Sequence, residues 1–176
     1  MPGRVTIGLY NSYDPVKFHE AHRRALARAG ALALAFDCNL ATFGFPFDNE
    51  LSTPSEVSRW LSSTTSIGES GAYIVELASN GRFSCFGFPK KGFPPQLGAA
   101  VVTTRRPHAK KSVSPSQVRS AVVSGRSVLL VFGLGPRGLP KDVFEIAEMH
   151  MDVTGGGYSL ETCTALGAVV ASVKGA

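Results

Sequence analysis

Apolar and polar positions fall into short blocks along the chain, and the period of each block predicts an element. Arg4–Tyr10 (RVTIGLY) is rich in β-branched and apolar residues and predicts a first strand. Asp14 and Pro15 then offer an N-cap and a first helical residue. Val16–Ala29, rich in Ala, Leu and Arg, predicts a helix stopped by Gly30. Ala31–Phe36 (ALALAF) is short and wholly apolar, and predicts a strand buried on both faces. Pro54–Leu61 predicts a second helix, capped by Ser52 or Thr53 with Glu56 in its first turn. Tyr73–Ala78 and Arg82–Phe88 flank Ser79-Asn80-Gly81 and predict a β-hairpin.

Gly87–Pro95 holds three prolines and two glycines and reads as a loop. Beyond it come a strand at Ala99–Thr104, a helix at Pro115–Val123 behind Ser114, and a strand at Ser127–Phe132. A short helix at Lys141–Met149, a strand at Met151–Val153 and a largely helical Ser159–Val173 close the chain. This alternation implies an α/β fold, a mainly parallel sheet flanked by helices, in one domain over residues 1–176. Residues 46–95 read either as part of that sheet or as an insertion carrying the hairpin near 73–88.

The 176 residues are 44% apolar and 18% charged, enough for one domain with a real core. The longest apolar runs, Leu32–Phe36 and Val128–Phe132, fall far short of the roughly 20 residues of a membrane helix. The opening MPGRVTIGLYN lacks the pattern of a signal peptide. Cys38, Cys85 and Cys163 are too few for a disulfide framework and lack zinc-site spacing, so no metal and a cytoplasmic setting are expected. The net charge of +5 concentrates in Arg23, Arg24 and Arg28, in Lys90 and Lys91, and along Arg105–Lys111, which suits a polyanionic partner.

Two glycine loops follow predicted strands. Gly133-Leu134-Gly135-Pro136-Arg137-Gly138 has the spacing of a dinucleotide-binding turn. A helix starting at Gly135, however, would carry Pro140 past its first turn, where the ring clashes and an N–H is missing. That favours a helix beginning at Pro140, with the loop left for close approach of another ligand to the backbone. Gly155-Gly156-Gly157 is the second loop. Two such loops at the ends of successive strands point to one shared crevice, because α/β sheets bind ligands at the carboxyl ends of their strands.

The C-terminal third, VLLVFGLGPRGLP followed by MHMDVTGGGYSLETCTALGAVVA, resembles the SPOUT superfamily of knotted, S-adenosylmethionine-dependent RNA methyltransferases, closest to an archaeal branch. Val128–Leu139 matches the second family motif. Met151-Asp152-Val153, Gly155 and Ser159-Leu160 match the third, and Arg24, six residues before Gly30, matches the first. The family's motif-one asparagine falls on Phe18, with Asn11 nearby in the preceding loop. Glu161 replaces the asparagine of Ser-Leu-Asn, and Gly135-Pro136-Arg137 stands where a glutamate is common.

The resemblance implies a C-terminal deep trefoil knot, an exception to the rule against threaded chains. It implies a methyl donor held by Thr103, Thr104 and Arg105, by Phe132, Gly133, Leu134, Gly135 and Gly138, and by Met151, Asp152, Val153, Ser159 and Leu160. It also implies transfer to tRNA or rRNA, with ribose 2′-oxygen favoured over a base nitrogen, by a homodimer paired through its last helix. A non-catalytic RNA-binding knot domain is the alternative, and a nicotinamide oxidoreductase stands third. Arg24 would position a phosphate or ribose, or lie on a solvated helix face. Ser159 would bond the substrate or cap the last helix. Glu161 would act as a base, contact the cofactor, or favour the helix dipole. RNA phosphates are expected at Arg23, Arg28, Arg105, Arg106, Lys110, Lys111 and Arg137.

Overall fold

In the computed structural model, which describes residues 1–175, seven strands pair wholly in parallel. They are β1 (Val5–Tyr10), β2 (Asn39–Phe43), β3 (Phe83–Phe86), β4 (Ala99–Thr103), β5 (Ser112–Val113), β6 (Val128–Gly133) and β7 (Met149–Met151). Their order across the sheet is β3-β2-β1-β6-β4-β7-β5. Six helices join them: α1 (Glu20–Ala35), α2 (Pro54–Ser62), α3 (Ser70–Ser79), α4 (Pro115–Val123), α5 (Lys141–Ile146) and α6 (Thr162–Lys174).

The two sheet faces are covered unequally. Ile7 and Leu9 of β1 and Leu130 and Phe132 of β6 join one core with side chains of α1, α2, α3, α4 and α6. Leu129 and Val131 of β6 and Phe43 of β2 join a thinner one, closed by Val143 of α5 and by Phe93 and Leu97. Each such apolar side chain stabilises the fold by about 1.5–3 kcal/mol when fully buried. β1 and β6 run side by side at the sheet centre, and covered on both faces they read as nearly continuous apolar runs, with Thr6 the buried polar residue.

Three expectations are corrected. The first helix does not run Val16–Ala29 and end at Gly30; it is Glu20–Ala35, and Gly30 lies inside it. Gly30 gives close packing, since a Cβ there would stand 3.1 Å from Cγ1 of Ile74 on α3. Asp14 does not cap this helix: it accepts from the N–H groups of Val16 (2.8 Å) and Lys17 (3.0 Å) and bonds His19 Nε2 at 2.7 Å. The run at 31–36 is therefore the end of α1, and the strand is the next segment, Asn39–Phe43.

The hairpin at 73–88 is also absent. Ser70–Ser79 is a helix, and Asn80-Gly81 ends it, with Gly81 at φ +68° and the Arg82 N–H donating to the Leu77 carbonyl at 2.8 Å. β3 then joins β2 in parallel, so residues 46–95 build helices and an edge strand of the one sheet. Thr53 and Ser114 cap α2 and α4 as expected, each in a reciprocal capping box. Pro140 stands at the N-cap of α5, which leaves 134–139 as loop.

Candidate functional site

Parallel pairing sends the carboxyl ends of β4, β6 and β7 to the same edge of the sheet, where their loops wall a cleft of about 1550 Å³. Every residue expected to hold the methyl donor lines it: Thr103, Thr104, Arg105, Phe132, Gly133, Leu134, Gly135, Gly138, Met151, Asp152, Val153, Ser159 and Leu160. Arg24 and Arg28 reach it from α1, and Glu161 and Thr162 from the start of α6.

Hydrogen bonds fix each wall. After β4, the Thr103 hydroxyl donates to the Val131 carbonyl at 3.0 Å and the Thr104 N–H to the Met151 carbonyl at 2.9 Å. After β6, Gly135 (φ +112°) and Gly138 (φ +67°) take conformations that favour glycine. The Thr162 hydroxyl ties the Gly133 carbonyl to α6 at 3.0 Å. After β7, Asp152 organises the glycine tripeptide: it accepts from the Thr154 hydroxyl at 2.7 Å and from the Gly157 N–H at 2.7 Å. Partial burial pushes the Asp152 carboxyl up, and these hydrogen bonds more than reverse it, leaving it below the usual carboxylate range.

Glu161, not Ser159, caps α6. Its carboxylate accepts from the Cys163 N–H at 3.0 Å and the Thr164 N–H at 3.2 Å. Those bonds, the Cys163 one foremost, hold its pKa below the usual carboxylate range. A carboxylate so engaged accepts a proton less readily than a free one, and its bonds to the first turn of α6 match the helix-start reading of this residue. Ser159 is exposed at the cleft wall.

The arginine cluster on α1 divides. Arg24 is exposed in the cleft, and Arg28 reaches Cys163, Nη1 to Sγ 3.3 Å. Arg23 points away and is buried, which corrects its assignment to RNA. It donates to the Leu61 carbonyl at 2.9 Å and lies over the rings of Phe18 (5.4 Å) and Trp60 (4.9 Å). Lys111 is likewise structural: its ammonium donates to the carbonyls of Phe144, Glu145 and Ala147, closing the C-terminus of α5. Arg105, Arg106 and Arg137 remain exposed on the cleft, and Lys110 is exposed outside its lining.

Asn11 does not reach the cleft. It is buried, donates to the Asp14 and Gly44 carbonyls, and accepts from the Tyr13 N–H and from His22 Nε2. His22 Nδ1 in turn accepts the His19 N–H at 2.9 Å, so Nε2 carries the proton. His150 is held the same way: Nδ1 accepts the His108 N–H and Nε2 donates to the Phe144 carbonyl. Tyr13 and Tyr158, which no motif marked, also line the cleft. Among the described residues no group of His, Cys, Asp or Glu could hold a metal ion.

The fold is shared with solved methylase structures. A probable methylase family protein from Haemophilus influenzae Rd KW20 superposes with a TM-score of 0.60 at 16% identity, over 99% of this chain and 66% of that longer one. The SpoU methyltransferase AviRb from Streptomyces viridochromogenes, solved with AdoMet, matches with a TM-score of 0.55 at 14% identity, over 99% of this chain and 58% of that one. A structure described for the 2-OH methylation of C/U34 on tRNA matches with a TM-score of 0.54 at 16% identity, over 98% of this chain and 95% of that one. At such identities the likeness is one of fold. By sequence the chain belongs to the DUF531 family of proteins of unknown function, matched over residues 5–174. It is 40% identical over 170 residues to the uncharacterized protein MJ0224 of Methanocaldococcus jannaschii, which covers 97% of this chain and 93% of that protein.

Proposed function

We propose that this protein is an S-adenosylmethionine-dependent RNA methyltransferase acting on tRNA or rRNA, with the ribose 2′-hydroxyl as acceptor. The observation that carries the reading is the convergence of the loops after β4, β6 and β7 on one cleft rimmed by arginines, in a fold shared with AdoMet-binding methylases. The cleft exceeds the about 300–1,000 Å³ of a small-molecule site, which leaves room for a nucleotide beside the donor. The donor fits the residues present: the glycine loop after β6 brings backbone amides and carbonyls close, and Thr103, Thr104 and Leu160 stand around them. When bound, it supplies a sulfonium methyl open to in-line attack.

Arg24 has the role of positioning residue, holding a substrate phosphate or ribose at the cleft mouth. A guanidinium stays protonated at neutral pH and does not accept the hydroxyl proton. Arg105, Arg106 and Arg137 supply charge for the phosphates. β7 lies between β4 and β5, and α6, which follows it, packs on α1 and on α4, the helix between β5 and β6. That course supports the threaded C-terminus we include in the proposal. In α6, Val169, Val170 and Val173 are buried within the chain, while Gly167, Ala168 and Ala171 are partly exposed and would form the face of a homodimer. Cys38, Cys85 and Cys163 are free thiols, in keeping with a cytoplasmic setting.

A non-catalytic RNA-binding domain of the same fold is the second reading, favoured by the structural engagement of Asn11 and Glu161. The dinucleotide reading loses its physical basis, because α5 starts beyond the glycine loop. Titration calorimetry with S-adenosylmethionine, and NADH as control, tests the cofactor; binding in the micromolar range by the methyl donor alone is expected. Labelled methyl transfer to bulk tRNA and rRNA then separates the two RNA readings. A folded protein that ignores the donor overturns the enzyme assignment.

A further inference from the structure

Two tyrosines in the cleft carry large exposed rings. Tyr158 is 73% exposed and Tyr13 48%, and both line the cleft. Each stands against a glycine loop. A Cβ at Gly156 would lie 3.0 Å from Cε2 of Tyr158, so the bare glycine lets that ring lie close against the tripeptide. A Cβ at Gly135 would come within 3.3 Å of the Cα and Cβ of Tyr13. The Tyr13 ring is then braced by His19, edge-on at 5.3 Å, and by His22, tilted at 5.6 Å. His22 is itself pinned by Asn11. The Tyr13 ring is therefore pre-positioned with little freedom left to lose on binding, while the Tyr158 ring stands open to the cleft.

Their neighbours define the ligand. Arg24, Arg105, Arg106 and Arg137 share the cleft with the two rings. Aromatic rings interleaved with arginines hold unpaired nucleotides: bases stack on the rings, and the backbone tracks the cations. A duplex keeps its bases stacked on one another and offers the rings only its backbone and groove edges.

We propose that Tyr13 and Tyr158 are stacking platforms for unpaired bases, so that the cleft takes single-stranded RNA such as a loop or an end rather than a duplex. The assignment rests on the reading of the cleft as an RNA methyltransferase site and names its substrate class. The test is fluorescence anisotropy with a labelled, unstructured RNA of about 12 nucleotides and a duplex of equal length, at several salt concentrations. The single strand should bind at least about tenfold more tightly than the duplex, and Tyr158→Ala and Tyr13→Ala should each weaken it about tenfold. Tyr158→Phe and Tyr13→Phe should stay within about twofold of the parent, because stacking needs the ring and not the hydroxyl. The salt slope should persist in all four variants and fall in Arg105→Ala. Alanine variants that bind like the parent, or a duplex that binds as well as the single strand, overturn the proposal. Calorimetry with S-adenosylmethionine on the same proteins keeps the two readings apart. Loss of donor binding with stacking intact overturns the methyltransferase assignment alone; intact donor binding with inert tyrosines overturns the platforms alone.

Discussion

Ser12 and Leu134, 122 positions apart, exchange a pair of hydrogen bonds: the Ser12 hydroxyl donates to the Leu134 carbonyl at 2.8 Å and accepts its N–H at 3.0 Å. One small side chain thereby clips the loop after β1 to the glycine loop after β6. Ser12→Ala removes both bonds and should lower stability by about 1 kcal/mol. Donor affinity should fall as well, because the glycine loop loses one of its anchors. Denaturant melts and calorimetry check the two effects, and an unchanged donor affinity would show that the loop holds its shape without the clip.

Two adjacent arginines should behave in opposite ways. Arg24→Ala, at the cleft, should abolish methyl transfer while leaving the melting temperature and donor affinity near those of the parent. Arg23→Ala should instead cost about 2 kcal/mol of stability, since it strips a buried hydrogen bond and a cation–π contact from Leu61, Phe18 and Trp60. Thermal melts paired with a transfer assay separate the two. Transfer by Arg24→Ala at the parent's rate removes that residue from the mechanism.

Glu161 is expected to act through α6 and not through a proton. Glu161→Ala should cost about 1 kcal/mol or less, as the loss of an exposed N-cap does, with donor binding weakened only modestly. Glu161→Asp, a strong capping residue, should restore most of the stability. A pH–rate profile for transfer that loses an acidic limb in Glu161→Gln would overturn this and reinstate the carboxylate as a base.

His22 gives the fold a pH dependence. Burial, reinforced by the nearby His19, pushes its imidazole below the ordinary histidine value, so the folded state holds it neutral. The unfolded chain therefore binds the extra proton first, and stability rises with pH. The contribution is complete above the unfolded value of about 6.5 and drains away as pH falls below it toward the lowered folded value. Melting temperatures from pH 7.5 down to about 5 should decline, and the decline should flatten in His22→Gln. An equal decline in that variant would assign the effect to another group.

How far the chain announces its own structure depends on whether each signal is local. Thr53 with Glu56, and Ser114 with Gln117, are complete within one turn, and both mark real helix starts. Gly30 and Asn80-Gly81 are ambiguous, because a glycine that admits a neighbouring helix or ends one looks like a turn residue until Ile74 or Leu77 is placed beside it. The cleft walls were legible because glycines after apolar strands are local. Arg23 and Arg24 could not be told apart, since the phase of α1 is set by contacts with Trp60 and Leu61 on α2. Tyr13 and Tyr158 gave no signal at all, because exposure at a cleft is a property of the assembled loops.

The pairing of Val5 with Val128 has a consequence for synthesis on the ribosome. A nascent chain that has emerged only as far as β3 carries β1 with one edge unpaired, open to any passing strand. That edge waits until β6, made long afterwards, slots in beside it, and contacts of such sequence separation form slowly. The three loops that wall the cleft all follow β4 in the chain, so the pocket is the last part of the molecule to be built.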